Sequence, residues 1–317
     1  MFNNLELAIG VLNGLLGDYL KRTGNGLATE MQVVRRGRAV PLAGAPHGLS
    51  AEEATPRVAV LVHGLMSTED VWTMADGETY GSKLARDLGV TALTIRYNSG
   101  LHISESGEAL DALLEQIVDV YPVPVEELLL IGHSMGGLVL RSATHAASAR
   151  PRRWLPLVKR AFYLGTPHLG APLERFGNAL TWALGAVDNP YTTLVADIVN
   201  LRSSGIKDLR YGSLRREDWE GKDANALLQN GRHPVPLLPH IRHHLIAGSL
   251  VSDPRLSVLF GDAMVSIRSA TGRARQSDRS VPFPQEHVRI MPALDHLRLA
   301  NHPDVYAQIR AWCKEEA

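Results

Sequence analysis

The chain has 317 residues, 45% of them hydrophobic, with 33 basic and 33 acidic side chains. That balance places it among globular proteins rather than disordered, fibrous or membrane-spanning chains, and a formal net charge of zero provides no field to gather a polyanion such as nucleic acid. The single cysteine, Cys313, excludes an intramolecular disulfide and a multi-cysteine metal site, and it fits a reducing compartment.

Leu5, Ile9, Leu12, Leu16 and Leu20 recur at three- and four-residue spacing, which predicts an amphipathic helix ending near Thr23-Gly24-Asn25-Gly26. Glu6, Asn13 and Asp18 interrupt its apolar run and no basic segment precedes it, so neither a signal peptide nor a bilayer span is expected, and the expected location is cytoplasmic. The stripe is expected to dock on the domain. A weak lipid-surface contact or a homodimer contact would cover it as well, although the polar face lacks the Lys/Arg excess of lipid-binding helices.

From about residue 30 onward, short β-rich runs alternate with helical patterns: Met31 to Arg35, Val58 to Val62, Val90 to Tyr97, Leu128 to Ile131, Ala161 to Leu164, His244 to Ala247 and Val288 to Met291. This rhythm predicts an α/β fold with a mostly parallel sheet flanked by helices. Val58–Val62 and Leu128–Ile131 are apolar throughout, as strands covered on both faces should be. The rhythm fails after Gly170. Helical pieces around Phe176 to Leu184 and Tyr191 to Leu201 are followed by a charged stretch, in which Arg202, Lys207, Arg210, Arg215 and Arg216 alternate with Asp208, Glu217 and Asp218. That stretch reads as a solvated, ion-paired surface. The segment His233 to His240 then leads back into the sheet. The resulting division is an N-terminal helix at 1–26, a core at 27–170 and 240–317, and a cap or lid insertion at 171–239.

The strongest chemical signal is the apolar strand that runs into Gly132-His133-Ser134-Met135-Gly136 and straight on into a helical pattern. This is G-x-S-x-G between strand and helix, where a sharp turn pushes a serine hydroxyl out of the sheet at the start of a helix. A serine hydroxyl alone is a poor nucleophile, so Ser134 requires a histidine as base and a carboxylate to orient it.

Taken together, Val60–Leu65 (VLVHGL), Gly132–Gly137 (GHSMGG) and Gly165–His168 (GTPH) resemble the α/β-hydrolase superfamily, and within it the bacterial lipase and esterase group. The resemblance runs from about residue 57 to the C-terminus and implies a catalytic order of serine, acid, histidine. It implies His296 as the base, in the loop after the last strand-like run. His302 is the rival, with helix-start geometry before Pro303. It implies Asp262 as the acid, through Gly261-Asp262-Ala263-Met264-Val265, with Ala263 where the family more usually has glycine; Asp253, Asp278 and Asp295 remain open. The backbone N–H groups of Leu65 and Met135 would form the oxyanion hole, and His63 reads as structural. Leu173, Phe176 and Leu180, with Trp182 and Leu184, would supply an apolar acyl-binding wall in the cap.

No cofactor is implied. Gly77–Lys83 has the wrong spacing and order for a phosphate loop and reads as a helix start. His233, His240, His243 and His244 invite a metal reading, but no HExxH accompanies them. The expected activity is a serine carboxylic-ester hydrolase acting on a small-molecule or lipid-like ester. Acylthioester and phospholipid hydrolysis are the enzymatic alternatives, and a catalytically silent binding module is the alternative outside enzymes.

Overall fold

The computed structural model describes residues 4–35, 37–40, 52–172, 203–221, 232–252, 262, 264–274 and 279–315. Among these, eight strands form one sheet: β1 (Gln32–Arg35), β2 (Arg38–Val40), β3 (Arg57–Val62), β4 (Thr91–Arg96), β5 (Glu127–His133), β6 (Val158–Leu164), β7 (Arg242–Gly248) and β8 (Val288–Met291). The principal described helices are α1 (Asn4–Arg22), α2 (Tyr80–Leu88), α3 (Ile103–Val120), α4 (Met135–Ser148), α5 (Ser204–Tyr211) and α6 (Pro303–Lys314). The pieces expected around 176–184 and 191–201 lie outside the described residues.

The two apolar runs occupy the middle of the sheet, whose order is β2-β1-β4-β3-β5-β6-β7-β8. Val58–Val62 of β3 pair in parallel with Thr91–Ile95 on one side and with Leu128–Gly132 on the other. β6, β7 and β8 continue the parallel pairing, while β1 and β2 form an antiparallel edge. Side chains alternate across a strand, so Val58, Val60 and Val62 face one cluster with Leu110, Leu114 and Leu138 of α3 and α4. Ala59 and Leu61 face the other, with Trp72, Leu84, Ile309 and Trp312 beneath α2 and α6. Both faces are therefore dry. The helix start expected at 77–83 is α2, whose N-cap Thr79 and Ser82 form a reciprocal capping box.

Three polar residues that break the apolar run of α1 are the ones that hold it in place. Glu6 pairs with Arg96 at the end of β4. Asn13, buried, donates to the carbonyls of Ile9 and Leu27 and accepts from the Thr29 amide, at 2.8–2.9 Å. Asp18 accepts from the amide and hydroxyl of Ser204 at 3.1 and 3.0 Å. Close approach is the second device. A Cβ on Gly17 would stand 1.7 Å from the Asn98 side chain, and one on Gly100 would stand 2.1 Å from the Asn13 carbonyl. Val11 and Leu15 then meet Leu65, Met66 and Ile206. The helix thus lies against the loop that follows β3. No described helix is long and apolar enough to cross a membrane.

The charged stretch of the insertion is less solvated than its composition suggests. Arg215–Glu217 is a surface pair, but Asp208 and Asp218 are buried. Asp208 accepts from the Ile103 amide and the His102 ring at 2.9 and 3.0 Å, and Asp218 accepts from the Leu214, Arg215 and His233 amides at 2.8–3.0 Å. These carboxylates satisfy main-chain donors that would otherwise be buried without partners.

Candidate active site

Ser134 stands where β5 becomes α4, with φ 52° and ψ −123°, a strained combination for a residue that carries a Cβ. Its amide donates to the Leu164 carbonyl of β6 at 2.8 Å, which fixes the turn against the neighbouring strand. The flanking glycines are sterically required. A Cβ on Gly132 would lie 2.6 Å from Gly137, and one on Gly136 would lie 2.2 Å from the Val62 carbonyl. The G-x-S-x-G spacing thus follows from two backbone contacts, one within the turn and one with β3.

Asp262 follows β7 and His296 follows β8, and the structure brings them together. Nδ1 of His296 donates to Oδ2 of Asp262 at 2.8 Å, with both side chains buried. Asp262 is itself oriented: its other oxygen accepts from the Val265 and Met264 amides at 2.8 and 3.2 Å, and its carbonyl accepts from the His296 amide at 3.2 Å. With Nδ1 occupied as a donor, Nε2 carries the lone pair of the neutral ring, and it is buried without a partner. No described group hydrogen-bonds to the Ser134 hydroxyl. Ser134 and His296 are linked instead through neighbours, since the rings of His133 and His296 lie 5.0 Å apart. Gly165, at φ +61°, passes so near His296 that a Cβ there would sit 3.0 Å from the ring.

His133 is the site residue that sequence reasoning missed. Its Nε2–H donates to the His296 carbonyl at 2.9 Å, so the residue before Ser134 holds the main chain of the paired histidine. Burial, with the nearby His296, pushes its pKa down to about 3 and keeps it a neutral donor. Its only sequence signal was its place inside G-x-S-x-G. His63 is buried and stacks on Tyr97 at 4.5 Å, and its Nδ1–H donates to the Gly64 carbonyl at 2.8 Å. Burial lowers its pKa to about 4.

Gly64, which precedes Leu65, approaches Ser134, and Met135 follows Ser134 in the chain. A Cβ on Gly64 would sit 3.0 Å from the Ser134 Cβ, and Met135 is the first residue of α4, where the amide has no intrahelical acceptor. Neither amide donates to a described residue. The loop between them and α1 is held by Met66, at φ 55°, whose amide donates to the Ser99 hydroxyl at 3.1 Å.

The alternatives fall elsewhere. His302 is the N-cap of α6 and accepts the Asp304 amide at 3.2 Å on Nδ1. Asp295 accepts the Arg298 amide at 3.0 Å. Asp253, Asp278, Ala263, Leu173, Phe176, Leu180, Trp182 and Leu184 lie outside the described residues. Among the crowded histidines, His243 lies between the Tyr163 hydroxyl and the Leu238 carbonyl, and His244 packs against Phe162 and Trp312.

Residues 94–234 match the family described as the PGAP1-like alpha/beta domain. No curated protein matches the sequence. Among solved structures, the propeptide form of the lipase BlEst2 of Bacillus licheniformis is similar at TM-score 0.53 and 18% identity, over 83% of this chain and 52% of that one. Its mature form gives 0.49 at 19% identity over 80% and 91%. The esterase Pf2001 of Pyrococcus furiosus gives 0.47 at 12% over 83% and 81%. The sheet order, the strand-turn-helix at Ser134 and the likeness to the propeptide form of BlEst2 agree on architecture: the chain has the α/β-hydrolase fold, and its residues 94–234 are similar to the PGAP1-like alpha/beta domain.

Proposed function

We propose that the chain hydrolyses carboxylic esters through Ser134, His296 and Asp262. The observation that carries this reading is the buried Asp262–His296 pair, which leaves Nε2 of His296 without a partner among the described residues, on a ring 5.0 Å from that of His133, the neighbour of Ser134 on its strained strand-to-helix turn. Nε2 of His296 takes the hydroxyl proton as Oγ of Ser134 bonds to the ester carbonyl carbon, and the amides of Leu65 and Met135 hold the oxyanion. The proton passes to the leaving alkoxide as the ester C–O bond breaks. Water, deprotonated by the same nitrogen, then cleaves the acyl-enzyme and releases the acid. Asp262 fixes the tautomer and stabilises the imidazolium.

The apolar cluster of Val11, Leu15, Ile206, Leu65 and Met66 borders the oxyanion loop, and it favours an ester with an apolar acyl or alcohol part. In this reading the insertion at 171–239, together with α1, forms the cover through which that part enters. Labelling of the full chain by a fluorophosphonate probe, lost in Ser134→Ala, is the expected result. A wild-type chain that resists the probe would instead be a silent binding module on the same fold. A p-nitrophenyl ester series from short to long acyl chains reads the preferred length.

A further inference from the structure

The described residues contain a second concavity, about two helical turns along α4 from Ser134, or roughly 10 Å at 1.5 Å per residue. It has a volume of about 350 Å³ and lies between α4, the turn after α5, the proline-rich return segment and residues 279–282. Among the described residues its lining carries the guanidinium groups of Arg141, Arg232 and Arg279 and the ring of His233, with no aspartate or glutamate.

Arg141 is the unusual member. It is 3% exposed, yet no described carboxylate faces it. Nη1 approaches Nδ1 of His168 at 3.3 Å, Nη2 donates to the Val235 carbonyl, and Nε is buried with no acceptor. An ionised group buried without a counter-charge is strongly disfavoured. Burial, the main cause, accordingly pulls its pKa down to about 10. Arg232 adds a second charge on the same wall, anchored through the His168 carbonyl at 2.6 Å and the Arg279 carbonyl at 3.0 Å. Among the described residues the nearby acid is Asp218, whose charge reaches Arg232 while its oxygens are engaged with His233 Nδ1 at 2.8 Å and with main-chain amides.

We propose that this cavity is a binding site for a terminal phosphate group, distinct from the Ser134 centre. Three guanidinium-bearing segments converge on one space with no aspartate or glutamate in its described lining, and guanidinium forks match phosphate oxygens through paired, charge-assisted hydrogen bonds. A phosphate there supplies the counter-charge that no described residue gives Arg141. The phosphate belongs either to a free anion or to a lipid headgroup, whose chain would leave along the Pro234–Leu237 side of the cavity.

The test is thermal shift and calorimetry on the full-length chain at constant ionic strength. The probes are inorganic phosphate, acetate and dihexanoyl phosphatidate, with chloride as the reference. Saturable stabilisation by phosphate beyond acetate and chloride is expected, weakened at least tenfold in Arg232→Gln and in Arg279→Gln. Arg279 is exposed, so its variant keeps the fold, checked by an unchanged circular dichroism spectrum, even if Arg141→Met does not. Tighter binding of phosphatidate than of phosphate, by tenfold or more, assigns the headgroup; equal affinity assigns the free anion. No saturable phosphate effect, or one unchanged in both variants, overturns the proposal. Repeating the titration on Ser134→Ala separates this site from the catalytic one, because binding here survives that substitution whatever becomes of ester turnover.

Discussion

The two ends of the parallel strands are built on opposite terms. At their amino ends, polar groups close on one another: Glu127 takes Arg57 at 2.7 Å and Arg160 at 2.8 Å, and Arg160 also reaches the Glu315 carbonyl at 2.7 Å. Thr55 and Thr91 exchange amide-to-hydroxyl bonds at 3.0 and 3.1 Å. At their carboxyl ends lie the three non-glycine residues with positive φ among those described: Met66 after β3, Ser134 after β5 and Ala293 after β8. The same rim carries buried nitrogens without partners on His63, His133 and His296. One end closes its charged groups into ion pairs, and the other keeps backbone strain where ligands bind in open α/β sheets.

If that contrast is functional, substitutions at the two ends should separate turnover from stability. Ser134→Ala is expected to lower kcat for a p-nitrophenyl ester by about 10⁵-fold or more while leaving the melting temperature within a few degrees. Asp262→Asn should cost about 10³–10⁴ in kcat with KM little changed, because the imidazole loses its enforced tautomer. At the opposite end, Glu127→Gln should leave kcat intact and cost about 2 kcal/mol in urea unfolding, since Arg160 loses its charged partner. A kcat loss there, or a large stability loss at Ser134, would break the comparison.

The smallest expected effect concerns pH. Burial, the first cause in each case, holds His63 and His243 at about 4 and His133 and His244 at about 3. An unfolded histidine titrates near 6.5, so below that pH the unfolded chain binds more protons and stability falls with acidification down to about pH 3, with little change above about 7. His244 has both ring nitrogens buried without partners against Phe162 and Trp312. His244→Phe should therefore stabilise by about 1 kcal/mol at neutral pH and flatten the acid limb of the melting curve. An unchanged limb would assign acid sensitivity to other groups.

Much of the sheet was legible because buried parallel strands must be apolar on both faces, as Val58–Val62 and Leu128–Ile131 are. The strand Arg38–Val40 gave no such signal: it is a three-residue edge, largely exposed, and pairs only with its predecessor. The antiparallel sense of β1 was equally hidden, since four residues of pattern carry no direction. Ser134 was readable because the turn excludes side chains at Gly132 and Gly136, a constraint that writes itself into residue type. The bond from His133 to His296 joins positions 163 residues apart, and nothing local encodes it. For Asp208 and Asp218, a sequence cannot say whether a carboxylate faces water or an amide needing an acceptor. Polar interruption in α1 likewise argued against a membrane span without revealing that Glu6, Asn13 and Asp18 are its anchors.

The seating of α1 has a consequence for synthesis. Its Gly14 carbonyl waits for the Ser203 hydroxyl, 189 positions later, and its Asp18 for Ser204. At about 5–20 residues per second, a ribosome needs roughly 10–40 s to deliver those partners. During that interval Val11 and Leu15 lack Ile206, the third buried member of their cluster, so α1 cannot finish packing until the segment near 203–206 has been made.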